Sequence, residues 1–436
     1  MCDILIKNAT IVTMDNYMNI LKNMEILIEN GKIIDIKKKI ICKPKKVIDA
    51  SGCIVFPGLC NTHTHVGMTI LRGYAEDICL YNWLNDKIWN IEKYFTPKTV
   101  YFSSLLGCLE MIKSGTTTFC DMYFHMNSTK KAVYDSGMRG YLSYGMIDNY
   151  DTIKGKYEIK NTIKFINSFK NKENERIKVM LGPHSTNTCS IEFLLNIKEI
   201  ARKYNLKTNI HLLETKAELD EFKKRYRQSP IKYLDSVNFL DKNTLAAHCV
   251  WVSNEDIKLL SKNNVTVSHN PISNMKLGSG IARIYKMINN KINITLGTDS
   301  CASNNNLNLF EEIKITPLLQ KGLTKNSSIL SSKNILKMVT SNVSNFFEDK
   351  IGMIKVGYKA DIIILEVNNK PHLQPYIKNT NIYSLLVYSM NGYEVRDSII
   401  NGELVMENKQ VITIDEEKII DSSKKEFEYI LNKMKI

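Results

Sequence analysis

Short apolar runs recur between residues 54 and 300: IVFPGLCNTH, TTTFCDMYF, GYLSYGMID, KVMLGPHS, KTNIHLLE, TLAAHCV, VTVSHNP and NITLGTDS. Segments with helix-compatible spacing separate them, among them TVYFSSLLGCLEMIKSG, EFLLNIKEIARKYN and EDIKLLSKNN. Eight strands alternating with helices predict an α/β fold, the (β/α)8 TIM barrel. An open doubly wound sheet is the alternative, but it would gather its ligands at one switch point. The chain also has no GxGxxG or GxxxxGKS/T phosphate loop to support that fold.

Outside this region the period shortens. Residues 1 to about 55 read as short strands with turns at ENGKI and ASGC, and KADIIIL, VRDSIINGELVME and QVITIDEE resume the pattern after about residue 355. The dipeptide Asn401-Gly402 predicts a hairpin. EKIIDSSKKEFEYILNKMKI reads as a C-terminal helix, and residues 149 to 175, polar and rich in Lys and Asn, read as a surface insertion over the barrel mouth.

The chemistry sits where the runs end. Residues i and i+2 of a strand share a face, so His63 and His65 of PGLCNTHTH converge and make half of a zinc site. An isolated HxH is more often a solvated turn. Here His184, His211, His248, His269 and Asp299 close five further runs, and catalytic residues of a barrel come from such C-terminal strand ends. Glu214 follows His211 by three residues. His125 lies beyond the apolar part of its run, and His372, between prolines, reads as a surface histidine.

Composition narrows the classes. The 436 residues are 44% hydrophobic, enough for one barrel and a small extra domain. The formal net charge is +14, yet the lysines are spread along the chain among Asn and Ile, and no RNP, zinc-finger or helix-turn-helix pattern accompanies them. A solvated basic surface is expected, with no nucleic-acid partner. No run approaches the ~18 apolar residues of a membrane span. The N-terminus lacks a signal-peptide pattern, and the ten cysteines form no CxxC, so a cytoplasmic protein with reduced thiols is expected. Cys60 reads as a small buried residue.

Taken in order from Pro57 to Phe310, PGLCNTHTH, SGTTTFCDMY, LGPHS, IHLLET, AAHC, VSHNPISNMKLGSGIA and LGTDSCASNNNLNLF resemble the amidohydrolase superfamily. Within it the chain is similar to the 5′-methylthioadenosine/S-adenosylhomocysteine deaminase family, which includes 5′-deoxyadenosine deaminases. The resemblance implies hydrolytic release of ammonia from adenosine-type nucleosides, in salvage of S-adenosylmethionine by-products. It implies one divalent metal per subunit, most often Zn2+ with Fe2+ as the alternative, held by His63, His65, His211 and Asp299. Asp299 would also take the proton of the attacking water, His248 would hold that water, and Glu214 would protonate the purine nitrogen beside carbon-6. Glu92 would hold the ribose hydroxyls, and His184 would contact the ribose or the purine edge. A solvated helix charge is the plain alternative for Glu92, as a helix N-terminal turn is for Glu214. Trp83 and Trp89 would cover the base unless they are core, and His269 would stand behind the site. The terminal segments, 1–55 plus 355–436, would form one discontinuous β-sandwich domain with the C-terminal helix beside a 56–354 catalytic barrel. A homo-oligomer is also implied.

Two features refine this reading. Two-metal relatives carry a lysine at the end of the fourth strand, where this chain has PHS, so one metal is expected; the His/Cys/Cys pattern of the small cytidine-type deaminases is absent. Relatives that accept a homocysteine tail carry an arginine where this chain has Tyr144, and tyrosine cannot make the bidentate pair that arginine makes with a carboxylate. Tail-free nucleosides are therefore expected to be preferred unless Lys154 or Lys156 compensates. Two readings compete with this one: an aminohydrolase or chlorohydrolase of the same fold acting on guanine, cytosine or triazine rings, and a non-catalytic scaffold.

Overall fold

Eight parallel strands rich in Thr, Val, Ile and Leu form a single sheet in sequential order in the structure, a computed structural model that describes residues 2–169 and 175–435. They are Leu59–Thr64, Thr116–Tyr123, Arg139–Met146, Ile177–Pro183, Thr208–Leu212, Thr244–His248, Thr266–His269 and Asn293–Leu296. The first and eighth meet through side chains and one bridge. Thr62 Oγ1 donates to the Leu296 carbonyl (2.9 Å), Asn61 Nδ2 to Thr298 Oγ1 (2.7 Å), and the Asp299 amide to the His63 carbonyl (2.9 Å). The seam that closes the barrel thus runs between two residues of the candidate site.

Helices follow the strands, and the sequence supplies their starts. Thr96, Asp151, Ser190, Thr215 and Ser253 each accept a hydrogen bond from the first turn of the helix they precede. Asp151 opens Thr152–Asn167, which connects the third and fourth strands. The expected surface insertion over 149–175 is therefore corrected. Its polar lysines and asparagines are the outer face of a barrel helix, whose apolar side buries Phe165 and Ile166; positions 170–174 of that stretch lie outside the described residues.

The run read as one strand, IVFPGLCNTH, divides at Gly58. Cys53–Pro57 pairs with Cys2–Val12 on one side and Ile362–Glu366 on the other, while Leu59–Thr64 enters the barrel. A Cβ on Gly58 would lie 2.2 Å from Thr117 Oγ1, so only glycine lets the chain pass from one sheet to the next. The terminal strands make a nine-stranded mixed sheet separate from the barrel. One of its faces buries Ile6, Ile26, Ile28, Ile362 and Ile364. Asn401 and Gly402, both at positive φ, form the expected hairpin turn between Val395–Ile400 and Glu403–Glu407. The Arg139 guanidinium, buried at the start of the third barrel strand, pairs bidentately with Asp361 (2.7 and 3.0 Å) and ties barrel to sheet.

The C-terminal helix Glu416–Met434 forms as expected and packs on the barrel helix Pro97–Lys113, where Thr99 Oγ1 donates to Glu426 Oε2 (2.9 Å). We propose that the terminal sheet and this helix act as one discontinuous domain beside the barrel. No described helix is long and apolar enough to cross a membrane.

Candidate active site

The strand ends gather the expected histidines. His63, His65, His211, His248 and Asp299 come from the first, fifth, sixth and eighth strands or the residues just after them. The ring centres of His63 lie 4.9 Å from His65, 4.8 Å from His211 and 5.3 Å from His248. His65 Nε2 is 3.2 Å from both Asp299 Oδ1 and His211 Nε2, and His63 Nε2 is 3.6 Å from Asp299 Oδ1. Leu213, His248, Cys249 and Asp299 all adopt positive φ. Such strain in non-glycine residues clusters at functional sites.

The outer nitrogens explain the orientation of the inner ones. His65 Nδ1 faces the Met122 carbonyl (2.5 Å), His211 Nδ1 the His184 carbonyl (2.7 Å), and His248 Nδ1 the Asn274 Oδ1 (2.7 Å). A carbonyl acceptor fixes the proton on Nδ1 and turns the Nε2 lone pair inward. Both ring nitrogens of His63, fully buried, have no hydrogen-bond partner. Burial also holds the His63 and His211 imidazoles well below the ordinary histidine range, so they are neutral donors. Burial would raise the Asp299 carboxyl, but the His65 hydrogen bond and the nearby imidazoles outweigh it and hold it well below the usual carboxylate range. Its other oxygen accepts from Ser273 Oγ (2.6 Å) and Ser303 Oγ (3.2 Å). The neutral His63 and His211 imidazoles, the anionic Asp299 carboxylate beside the His65 ring and the otherwise unpartnered ring nitrogens of buried His63 fit one divalent cation.

A cavity of about 220 Å³ adjoins this cluster and is lined by His65, His184, His211, Glu214, His248 and Asp299. Burial raises the Glu214 carboxyl; its Oε1 accepts from Ser279 Oγ (3.2 Å), and Oε2 stands 3.8 Å from His248 Nε2. His184 faces the cavity with Nδ1 at 2.8 Å from Thr188 Oγ1, and burial lowers its imidazole to about 3. Glu92 lines the cavity from the short helix Trp89–Glu92 and so is no solvated charge. Its Oε1 accepts from Tyr123 Oη (2.5 Å), and burial lifts its carboxyl to about 7.

Trp83 and Trp89 also line the cavity, together with Leu80, Leu84 and Ile88 of the same short helices. The buried Trp83 Nε1 has no partner. His269 is buried with both ring nitrogens unpartnered and does not line the cavity. His125 precedes a helix and does not line the cavity, and His372, on the surface, pairs with the buried Glu394 (2.6 Å).

Sequence reasoning passed over Tyr123, Asn274, Ser279 and Glu218. Asn274 and Ser279 lay in the quoted VSHNPISNMKLGSGIA motif and Tyr123 in SGTTTFCDMY, and Glu218 completes a T-x-x-E helix start. Tyr144 lies elsewhere than expected. It does not line the cavity, and its hydroxyl lies 3.5 Å from Asn161 Nδ2 and bonds to Glu158, both on the helix Thr152–Asn167. Lys154 and Lys156 do not line it either.

Comparison with known proteins agrees with this arrangement. The Amidohydrolase family model matches residues 54–405. A 5′-deoxyadenosine deaminase of Methanosarcina acetivorans is 48% identical over 424 residues, 97% of each chain. A 5-methylthioadenosine/S-adenosylhomocysteine deaminase of Thermococcus sibiricus is 44% identical across 92% of this chain and 94% of its own. Among solved structures, an adenosine deaminase from Xanthomonas campestris with bound zinc superposes with a TM-score of 0.93 at 25% identity, covering 99% of both chains. From strand ends to sequence match, the chain belongs to the amidohydrolase family.

Proposed function

We propose that this protein is a metal-dependent nucleoside deaminase, replacing the 6-amino group of 5′-deoxyadenosine and related adenosines with oxygen and releasing ammonia. The observation that carries the reading is one cavity wall shared by a cation-binding donor set and a buried carboxylic acid, in a chain 48% identical to a 5′-deoxyadenosine deaminase. His63, His65, His211 and Asp299 would hold the cation, zinc being the better fit to three imidazoles and a carboxylate. When bound there, such an ion lowers the pKa of water to about 7 and so supplies hydroxide near neutrality.

The chain's own groups do the rest. Asp299 takes the proton of the attacking water and passes it to the departing amine. His248, fixed by Asn274, holds the attacking oxygen in line with carbon-6. Glu214, whose carboxyl burial raises above the ordinary glutamate range, protonates the adjacent ring nitrogen as charge develops there. Glu92 accepts from the ribose hydroxyls, His184 contacts the ribose or purine edge, and Trp83 Nε1 offers a donor to the nucleoside. Lining the cavity among the described residues are Glu92, Glu214, Glu218 and Asp299 but no Lys or Arg. A tail bearing a carboxylate would find no Lys or Arg there to pair with, which favours 5′-deoxyadenosine and 5′-methylthioadenosine over S-adenosylhomocysteine.

The test is a panel of adenosine analogues followed by the change from adenine to hypoxanthine absorbance, with metal content measured on the same protein. Ammonia release from guanine, cytosine or a triazine, and none from any adenosine, would overturn the assignment.

A further inference from the structure

Glu218 is a buried carboxylate on the cavity wall that the reaction as described leaves unused. It occupies the third position of the helix Lys216–Tyr226, whose first turn is capped by Thr215 Oγ1 accepting from the Glu218 amide (3.1 Å). In a reciprocal capping box the glutamate side chain would return to the amide of the capping residue itself. Here it reaches one residue further back. Glu218 Oε2 accepts from the Glu214 amide (2.9 Å), and the amide of Leu213, at φ +52°, also bonds to this carboxylate. Its second oxygen, Oε1, accepts from Thr186 Oγ1 (2.9 Å), two residues after His184.

One carboxylate therefore joins the strained turn that carries Glu214 to the loop that carries His184. We propose that Glu218 is a positioning residue that aims the Glu214 carboxyl at its substrate and locks it in register with the His184 loop. This rests on the deaminase reading of the site. Burial raises the Glu218 carboxyl to about 7, opposed by the amides and the Thr186 hydroxyl that bond to it, so the group is held in the cavity wall for its contacts. A helix cap alone would not need the bonds to Glu214 and Thr186.

Removing the acceptor while keeping volume, as in Glu218→Leu, should lower kcat for 5′-deoxyadenosine roughly 10- to 100-fold, the usual cost of losing a supporting partner. KM should change several-fold less than kcat and bound metal should be unchanged, because the main loss is an acid acting in the transition state, with the His184 loop only slackened. Glu218→Gln should restore most of kcat, since its amide oxygen can face the Glu214 amide and its NH2 the Thr186 oxygen. In a Glu214→Gln background, Glu218→Leu should cost nothing more in single-turnover rate.

Wild-type kcat in Glu218→Leu, or a further equal loss in the Glu214→Gln background, overturns the proposal. Should Glu218→Leu not fold, Thr186→Val removes one donor only; its kcat should fall about threefold, and an unchanged kcat is equally fatal. Full turnover in metal-loaded Glu214→Gln would sink the deaminase mechanism itself, a result distinct from either.

Discussion

Part of the cavity lining sits on the barrel strand ends and part on a run of short helical turns, and the two are built differently. His65, His211, Glu214, His248 and Asp299 stand on or just beyond strands held in one eight-stranded hydrogen-bonded sheet. Leu80, Trp83, Leu84, Ile88, Trp89 and Glu92 come from Leu80–Asn82, the wide π turn Trp83–Ile88 and Trp89–Glu92, none of which has a side-chain cap. Helical pieces this short are not stable by propensity. They are held by burying Trp83, Ile88 and Ile91 against the barrel. Metal chemistry needs donors fixed to within tenths of an ångström; enclosing a substrate needs a wall that can give. The difference predicts that damage at the strand ends abolishes turnover and damage to the short helices weakens binding.

The sharpest break of that contrast is His211→Ala. His211 is a proposed ligand whose outer nitrogen is tied to the fourth strand's loop, so the variant should lose bound metal and activity together, as metal analysis and turnover on one sample will report. Retained stoichiometric metal would remove His211 from the ligand set. Next in size, Glu214→Gln should keep the metal and lose kcat by roughly 10²- to 10⁴-fold, the range for a positioned general acid. Full activity would show that the ring nitrogen takes its proton elsewhere.

The same division governs how much could be read in advance. The barrel and its metal-competent residues were legible because side-chain period and strand ends are local properties: an HxH at a strand terminus projects both rings to one side whatever the distant chain does. The division of IVFPGLCNTH at Gly58 was not, because it depends on Thr117 standing 2.2 Å from where a Cβ would lie. Glu92 was undecidable for a similar reason. Its helix is polar enough for solvent, and only the fold brings Tyr123 against its carboxylate. Tyr144 misled because a register position says which residue stands on a strand but not which side of the barrel wall its ring takes.

Glu92 sharpens the contrast from the side of the short helices. Glu92→Gln should raise KM for 5′-deoxyadenosine about tenfold, the value of one charge-assisted hydrogen bond, with kcat and metal content little changed. Its pH dependence follows from burial, which lifts the carboxyl to about 7 against the Tyr123 bond and the His65 charge. Above that pH the group is an anion that accepts from both ribose hydroxyls. Below it the group is neutral and loses acceptor strength, so KM should rise as pH falls from 8 to 6, and Glu92→Gln should flatten that slope. A KM that falls toward acid pH would contradict the assignment.

The smallest effect concerns the 5′ tail. If the tail were read by position 144, Tyr144→Arg should favour S-adenosylhomocysteine. The structure argues otherwise, because the Tyr144 hydroxyl is directed at Glu158 and Asn161 and the ring does not line the cavity. An arginine there would be captured by the Glu158 carboxylate, leaving the ratio of kcat/KM for S-adenosylhomocysteine over 5′-deoxyadenosine within about twofold of wild type. A cation on the cavity wall should act where that one does not. Asn187 lines the cavity, is half-buried, and sits beside Thr188, which holds His184. Asn187→Arg should raise the same ratio by up to roughly fivefold, the worth of a solvent-screened ion pair near 1 kcal/mol, and the gain should shrink in high salt. A rise with Tyr144→Arg and none with Asn187→Arg would mean that the tail leaves the cavity past the third strand and that the helix Thr152–Asn167 moves aside to let it through.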